Sequence, residues 1–219
     1  MQAKGLLFDL DGTLVNSLSA VERCWLKFAK RHHLNHDYVL TSIHGRKAID
    51  NIKLFLPDKP NEEIKQEFNW MEQLESQDLD GISEIPGASK FLQLLSSQNI
   101  PWGIVTSGTK IVAESRFNLL GVAKPPVFIT GEMVAKTKPA PDGYLQGAKA
   151  LGLLTEQCIV FEDSIAGIQS AFNAKCQVIG VNLLNCAQAN VALNINSFDE
   201  LIIKKVMPTD IVISKINAE

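Results

Sequence analysis

Asp9 and Asp11 stand two residues apart, with Gly12 and Thr13 directly after them, and the apolar run Gly5-Leu-Leu-Phe8 leads straight into the pair. Two carboxylates at this spacing on a turn face one small volume. They repel there unless a cation lies between them, so the pair points to a divalent metal. Gly12 permits the tight backbone such a turn needs. A calcium loop of the EF-hand kind is excluded: it requires Gly at its sixth position and Glu at its twelfth, and those positions hold Leu14 and Ala20, after a strand rather than a helix. The plain alternative is an acidic strand-to-turn connection without chemistry.

Three further places carry residue types suited to the same chemistry. Thr106-Ser107-Gly108-Thr109 ends an apolar run and opens a helical pattern, where hydroxyls and free backbone N–H groups make an anion site; ordinary N-capping by Ser107 or Thr109 is the alternative. Lys138 precedes Pro139, with Pro141 close behind. The stiff loop predicts a placed charge rather than a loose surface lysine. Glu162 and Asp163 follow another apolar run and precede a helix. Adjacent acids there suit a hard metal, against the alternative of an Asp N-cap.

The elements that must position these residues are short buried strands and amphipathic helices. Gly5 to Phe8, Trp102 to Val105, Val127 to Ile129, Cys158 to Phe161 and Val178 to Val181 are apolar runs, each ending at a polar residue. Helical patterns separate the later ones: Ala88 to Leu95, Ile111 to Leu120, Tyr144 to Leu151 and Ile165 to Phe172. Alternating strand and helix predicts an α/β fold with a Rossmann-like parallel sheet. Residues 17–81 break that alternation. Leu18, Val21, Trp25 and Phe28, and then Ile64, Phe68, Met71 and Leu74, recur at helical spacing with no strand between. The expectation is a small all-helical cap domain at 17–81, inserted after the first strand, on a core of 1–16 and 82–219. The tail from Pro208 to Glu219 reads at most as an edge strand.

In a parallel sheet the carboxyl ends of the strands share one edge, and ligands bind there. Asp9, Asp11, Thr106, Glu162 and Asp163 should therefore converge, with Lys138 on a loop above. Such a group of acids repels a phosphate dianion. One like-charged pair at ~4 Å costs about 4 kcal/mol at an effective dielectric near 20. Magnesium and Lys138 would offset that repulsion, leaving a carboxylate free to attack.

Composition narrows the partners. The net charge of −3 argues against nucleic acid or an anionic membrane, and no run approaches the length of a membrane span. Lys27, Lys30 and Arg31 read as a solvated helix face, and His32, His33, His36 and His44 as surface residues. Cys24, Cys158, Cys176 and Cys186 form no C-x-x-C; reduced thiols and a cytoplasmic setting are expected. A monomer acting on a small phosphorylated metabolite is the expectation.

The order Asp9-Leu-Asp11-Gly12-Thr13, then Thr106 after a strand, then Lys138-Pro139, then Glu162-Asp163 after a strand resembles the haloacid dehalogenase superfamily, over about residues 4–205. The helical insert resembles its helical-cap branch. Val105-Thr-Ser-Gly-Thr109 and Phe161-Glu-Asp-Ser164 are similar to bacterial sugar-phosphate phosphatases and glycerol-phosphate phosphatases. The resemblance implies that Asp9 is the nucleophile that forms an aspartyl-phosphate. It makes Asp11 the general acid and then the base. Thr106 and the Ser107 backbone would hold the phosphoryl group, and Lys138 would clamp it. Mg2+ would be bound by Asp9, Asp11 through its backbone carbonyl, Asp163, and Glu162 through water. Arg46, in the Gly45-Arg46-Lys47 turn of the insert, would meet the substrate. Thr137 departs from the glycine often found before the motif lysine. Asp11 argues against a dehalogenase. Val21 stands where the related sugar phosphomutases carry a cap histidine, which favours hydrolysis over a phosphomutase. A glycerol-phosphate phosphatase and a non-catalytic protein that binds a phosphorylated ligand are the remaining alternatives.

Overall fold

The structure, a computed structural model, describes residues 1–43, 47–183, 191–206 and 210–216; His44, Gly45, Arg46 and Cys186 lie outside the described residues. In chain order the elements begin with β1 (Gln2–Ala3), β2 (Gly5–Phe8) and β3 (Val15–Asn16). Four helices follow, α1 (Leu18–Arg31), α2 (His36–Ser42), α3 (Ala48–Phe55) and α4 (Asn61–Gln77), and then β4 (Ser83–Glu84). The remainder runs α5 (Ala88–Ser97), β5 (Trp102–Val105), α6 (Lys110–Asn118), β6 (Val127–Ile129), α7 (Asp142–Ala150), β7 (Cys158–Glu162), α8 (Ile165–Asn173) and β8 (Gln177–Val181). It ends with β9 (Leu193–Ile195), β10 (Leu201–Lys205) and β11 (Ile211–Lys215).

Six strands form one parallel sheet in the order β6-β5-β2-β7-β8-β9. Successive side chains of a strand point to opposite faces, so Leu6 and Phe8 join Phe91 of α5 and Phe117 of α6 on one side, while Leu7 joins Tyr144 and Ala148 of α7 and Ile168 of α8 on the other. Both faces are covered by helices. That is why the strands read as unbroken apolar runs rather than as alternating ones. Strand β9 went unanticipated because Leu193-Asn-Ile195 is too short and polar to announce itself.

The tail is corrected. Residues Ile211–Lys215 are not an edge but the middle strand of a separate antiparallel sheet ordered β1-β11-β10. The pairing that makes it central, with Gln2–Ala3 at the other end of the chain, is too short and too remote in sequence to reveal it.

A small all-helical cap, α1 to α4, stands on this core. Its apolar stripes close on a cluster of their own, with Trp25, Phe28, Phe55, Ile64 and Met71 buried and the Trp25 ring 5.3 Å from that of Phe28 and 5.9 Å from that of Phe55. Strands β3 and β4 pair antiparallel, Val15 with Glu84 and Asn16 with Ser83, so the chain leaves and re-enters the core through one stem. His32 is not a free surface residue: its ring lies 4.6 Å from that of Phe28 and its Nε2 is 3.0 Å from Glu67. Cys24, Cys158 and Cys176 are buried and unpaired. Among the described residues no helix is long and apolar enough to cross a membrane.

Candidate active site

Strand register places the first acid. Phe8 lies opposite Ile104 of β5 and Phe161 of β7, and the Asp9 N–H donates to the Phe161 carbonyl at 3.0 Å. Asp9 therefore emerges between Glu162 on one side and Thr106 on the other. Beneath it the rings of Phe8 and Phe161 stack at 4.6 Å, a rigid apolar floor.

Lys138 reaches this point from its loop. Its Nζ donates to Asp9 Oδ1 and, at 3.2 Å, to the Val105 carbonyl, and it pairs with Glu162 Oε1 at 2.6 Å. Glu162 is fully buried. Tyr144 Oη donates to its Oε1 at 2.6 Å and Ser164 Oγ to its Oε2 at 3.2 Å. A Cβ at position 167 would run into the Glu162 carboxylate, so the first turn of α8 needs Gly167 there. Asp163 is not the cap of α8, because Ser164 Oγ accepts the Gly167 N–H at 3.1 Å. Freed from capping, Asp163 faces Asp9 against the backbone of Gly12, whose φ of +86° and lack of a side chain leave room for its carboxylate.

Thr106 is buried and its Oγ1 accepts the Gly108 N–H at 3.0 Å. Thr109 makes no capping bond to α6; Glu132 does so instead, accepting the Lys110 N–H at 2.7 Å. Asp11 turns towards the cap, where its Oδ1 accepts Ser17 Oγ at 2.6 Å and Arg116 Nη1 at 2.8 Å. A cavity of about 780 Å³ opens over these residues. Asp9, Asp11, Thr106, Ser107, Lys138 and Asp163 form its floor, and Val21, Trp25, Lys47, Asn51, Phe68 and Met71 its cap side. The structure thus brings every expected core residue to one place. Arg46 is not among the described residues.

The electrostatics are those of crowded acids. Burial pushes the Asp9 carboxyl well above its ordinary range; Lys138 pulls it back, and Glu162 and Asp163 push it further up. Burial and then Glu162 raise Asp163 to about 7. Burial by itself would lower Lys138, but the Asp9 and Glu162 carboxylates outweigh it and hold the lysine charged. Burial and then Glu162 push Tyr144 up, so its phenol stays a donor. Carboxylate oxygens of Asp9, Glu162 and Asp163 all lie within 4.8 Å of one another. A hard divalent cation fits this all-oxygen set, and its charge would reverse the upward shifts of Asp9 and Asp163.

Some residues of the site escaped the sequence. Tyr144 and Ser17 are ordinary in their local patterns. Arg116 left a signal: it falls on the buried stripe Val112, Ala113, Arg116, Phe117, where a charge demands a partner. Its partner beyond Asp11 is Glu75 of α4, 3.2 Å from Nη2.

Comparison with known proteins agrees with this geometry. The profile of the haloacid dehalogenase-like hydrolase family matches residues 6–181. Hexitol phosphatase A of Escherichia coli is 43% identical over 215 residues, covering 97% of this chain and all of that enzyme. Glycerol-1-phosphate phosphohydrolase 2 of Saccharomyces cerevisiae is 33% identical over 190 residues, 83% of this chain and 75% of that enzyme. Among solved structures, a family IA, variant 3 hydrolase from Entamoeba histolytica superposes with a TM-score of 0.80 at 30% identity, over 90% of this chain and 95% of that one. The acids at the strand ends, the lysine between them and the matched profile lead to one conclusion: the chain belongs to the haloacid dehalogenase-like hydrolase family.

Proposed function

We propose that this chain is a magnesium-dependent phosphatase that hydrolyses a small sugar or polyol phosphate monoester through an aspartyl-phosphate. The observation that carries the reading is the buried Asp9 carboxylate, bound by Lys138 and facing Asp163 on the floor of the cavity. Residues 17–81 act as the cap and 1–16 with 82–219 as the catalytic core. In this reading the protein acts as a monomer.

Asp9 is the nucleophile. One of its oxygens attacks phosphorus, the ester P–O bond breaks, and the leaving oxygen takes a proton from Asp11. Asp11, now a carboxylate, takes a proton from water as that water attacks the phosphoryl group. Inorganic phosphate leaves, and Asp9 and the Asp11 acid are restored. Thr106 Oγ1 and the Ser107 N–H hold the phosphoryl oxygens, and Lys138 neutralises the charge they share with Asp9. Asp9, Asp163 and the Asp11 carbonyl would hold magnesium, with Glu162 reaching it through water, and the ion would supply further stabilisation of negative charge. Glu162 also fixes Lys138, with Tyr144 and Ser164 fixing Glu162 in turn.

A hexitol or hexose phosphate is the first choice of substrate, supported by the 43% identity to a hexitol phosphatase, and glycerol phosphate the second. Val21 on the cap side of the cavity has no proton to manage, which supports hydrolysis over mutase chemistry. Arg46 contacts the substrate hydroxyls. The test is phosphate release from a panel of hexitol, hexose and glycerol phosphates. Turnover should require magnesium and fall at least about a thousandfold in Asp9→Asn, while Arg46→Ala raises KM more than it lowers kcat. Full activity in chelator, or in Asp9→Asn, would end the proposal.

A further inference from the structure

Arg116 is buried to 3% exposure between two carboxylates that belong to different parts of the molecule. Its Nη1 holds Asp11 Oδ1 at 2.8 Å, and its Nη2 holds Glu75 Oε2 of the cap at 3.2 Å. Ser17 Oγ donates to the same Asp11 Oδ1 at 2.6 Å, so both lone pairs of that oxygen are taken. Asp11 Oδ2 accepts no hydrogen bond from the described residues. It points towards the phosphate-binding turn, 4.0 Å from where a Cβ on Gly108 would stand. The carboxylate is thus clamped by one oxygen, with the other turned to the place where an ester oxygen must leave. Glu75 itself belongs to the cap and lines the cavity together with Trp25. The planar guanidinium spans the two acids as a fork, a geometry the single ammonium of lysine cannot reproduce.

We propose that Arg116 is a positioning residue: it aims Asp11 Oδ2 at the leaving oxygen, and Glu75 makes that aim depend on the docked cap. This rests on the reading of Asp11 as the general acid. The coupling gives the cap a second role beside shaping the cavity. Only when α4 lies on α6 are both ends of the guanidinium held, and only then is the proton donor in line. A cap in any other place would leave Arg116 with one partner and Asp11 loosely oriented.

Leaving-group chemistry separates this role from simple adhesion of cap to core. A hexitol phosphate must expel an alkoxide and needs the proton of Asp11, whereas p-nitrophenyl phosphate expels a stable phenolate and does not. The quantity to measure is the ratio of kcat/KM for the hexitol phosphate to kcat/KM for p-nitrophenyl phosphate. Both values report the first phosphoryl transfer, and their ratio on one preparation cancels any misfolded fraction. Arg116→Lys and Arg116→Gln should lower the ratio about thirtyfold, as expected for a misaimed proton donor. Glu75→Gln should lower it several-fold. Equal losses on both esters in the Arg116 variants would reduce Arg116 to a structural tie, and an unchanged ratio in Glu75→Gln would remove the dependence on the cap. Asp11→Asn is the control. If it too leaves the ratio unchanged, the assignment of Asp11 as general acid fails. If it collapses the ratio while the Arg116 variants do not, only the positioning role fails.

Discussion

Gly12 shows how closely the acids are fitted at the scale of single residues. Its φ of +86° favours glycine, and a Cβ there would collide with the Asp163 carboxylate. Gly12→Ala therefore strains the turn and moves Asp163 away from Asp9. Displacing a group that orients a metal ligand costs roughly 10–100-fold in metal affinity. The magnesium concentration for half-maximal activity should rise by about that factor, with residual kcat at saturation. A titration curve superimposable on that of the unaltered protein would show that the Gly12 backbone does not set the position of Asp163. Glu162 obeys the same logic from the other side: Tyr144 and Ser164 fix its oxygens, and it in turn fixes the Lys138 ammonium that binds Asp9.

Helices α1 and α4 of the cap are tied where the chain turns back to the core. Asp78, directly after α4, accepts Arg23 Nη2 at 2.6 Å and Lys27 Nζ at 3.3 Å, both from α1. The hydrogen bond from Arg23 chiefly holds the Asp78 carboxyl below its ordinary 3.8. A group whose folded-state pKa is depressed stabilises the fold above its unfolded pKa and loses that contribution as pH falls through the folded one. Asp78→Asn should therefore cost about 0.5–1 kcal/mol near neutrality, a value already discounted for solvent screening. The gap between variant and parent should close as the pH falls through the lowered value of Asp78, well below 3.8. Urea unfolding at both pH values decides it; a gap that persists in acid would mean that the carboxylate charge is not what joins the two helices.

The whole molecule is built from separate apolar clusters, two flanking the sheet and one inside the cap, with the polar cavity between core and cap. Acids gathered there from β2 and the end of β7 oppose folding when no cation shields them, because burial and mutual repulsion favour their neutral forms. A cation bound only by the folded chain should then stabilise the entire fold. At magnesium near one hundred times its Kd, the gain is about 2.7 kcal/mol, visible as a rise in Tm that chelator reverses. Asp163→Asn should abolish that rise. An unaltered Tm across the titration would argue against a magnesium site formed by these strands.

Much of this was legible from local sequence. An apolar run followed by an acid marks the end of a buried strand, and parallel strands flanked by helices must share one carboxyl edge. That rule alone brings Asp9, Thr106, Glu162 and Asp163 together, and the proline-bounded loop supplies Lys138. The helical spacing of residues 18–28 and 64–74 likewise marks the cap, because a 3.6-residue period records which face is buried. The tertiary structure decided what depends on distant pairing. The sheet of β1, β10 and β11 joins the two ends of the chain, and Arg116 meets Asp11 across 105 residues and Glu75 across 41. Local pattern shows that a charged residue on a buried stripe needs a partner. Only the packing of α4 on α6 chooses which acids answer, since a side chain's periodicity records its burial and not the identity of what it is buried against.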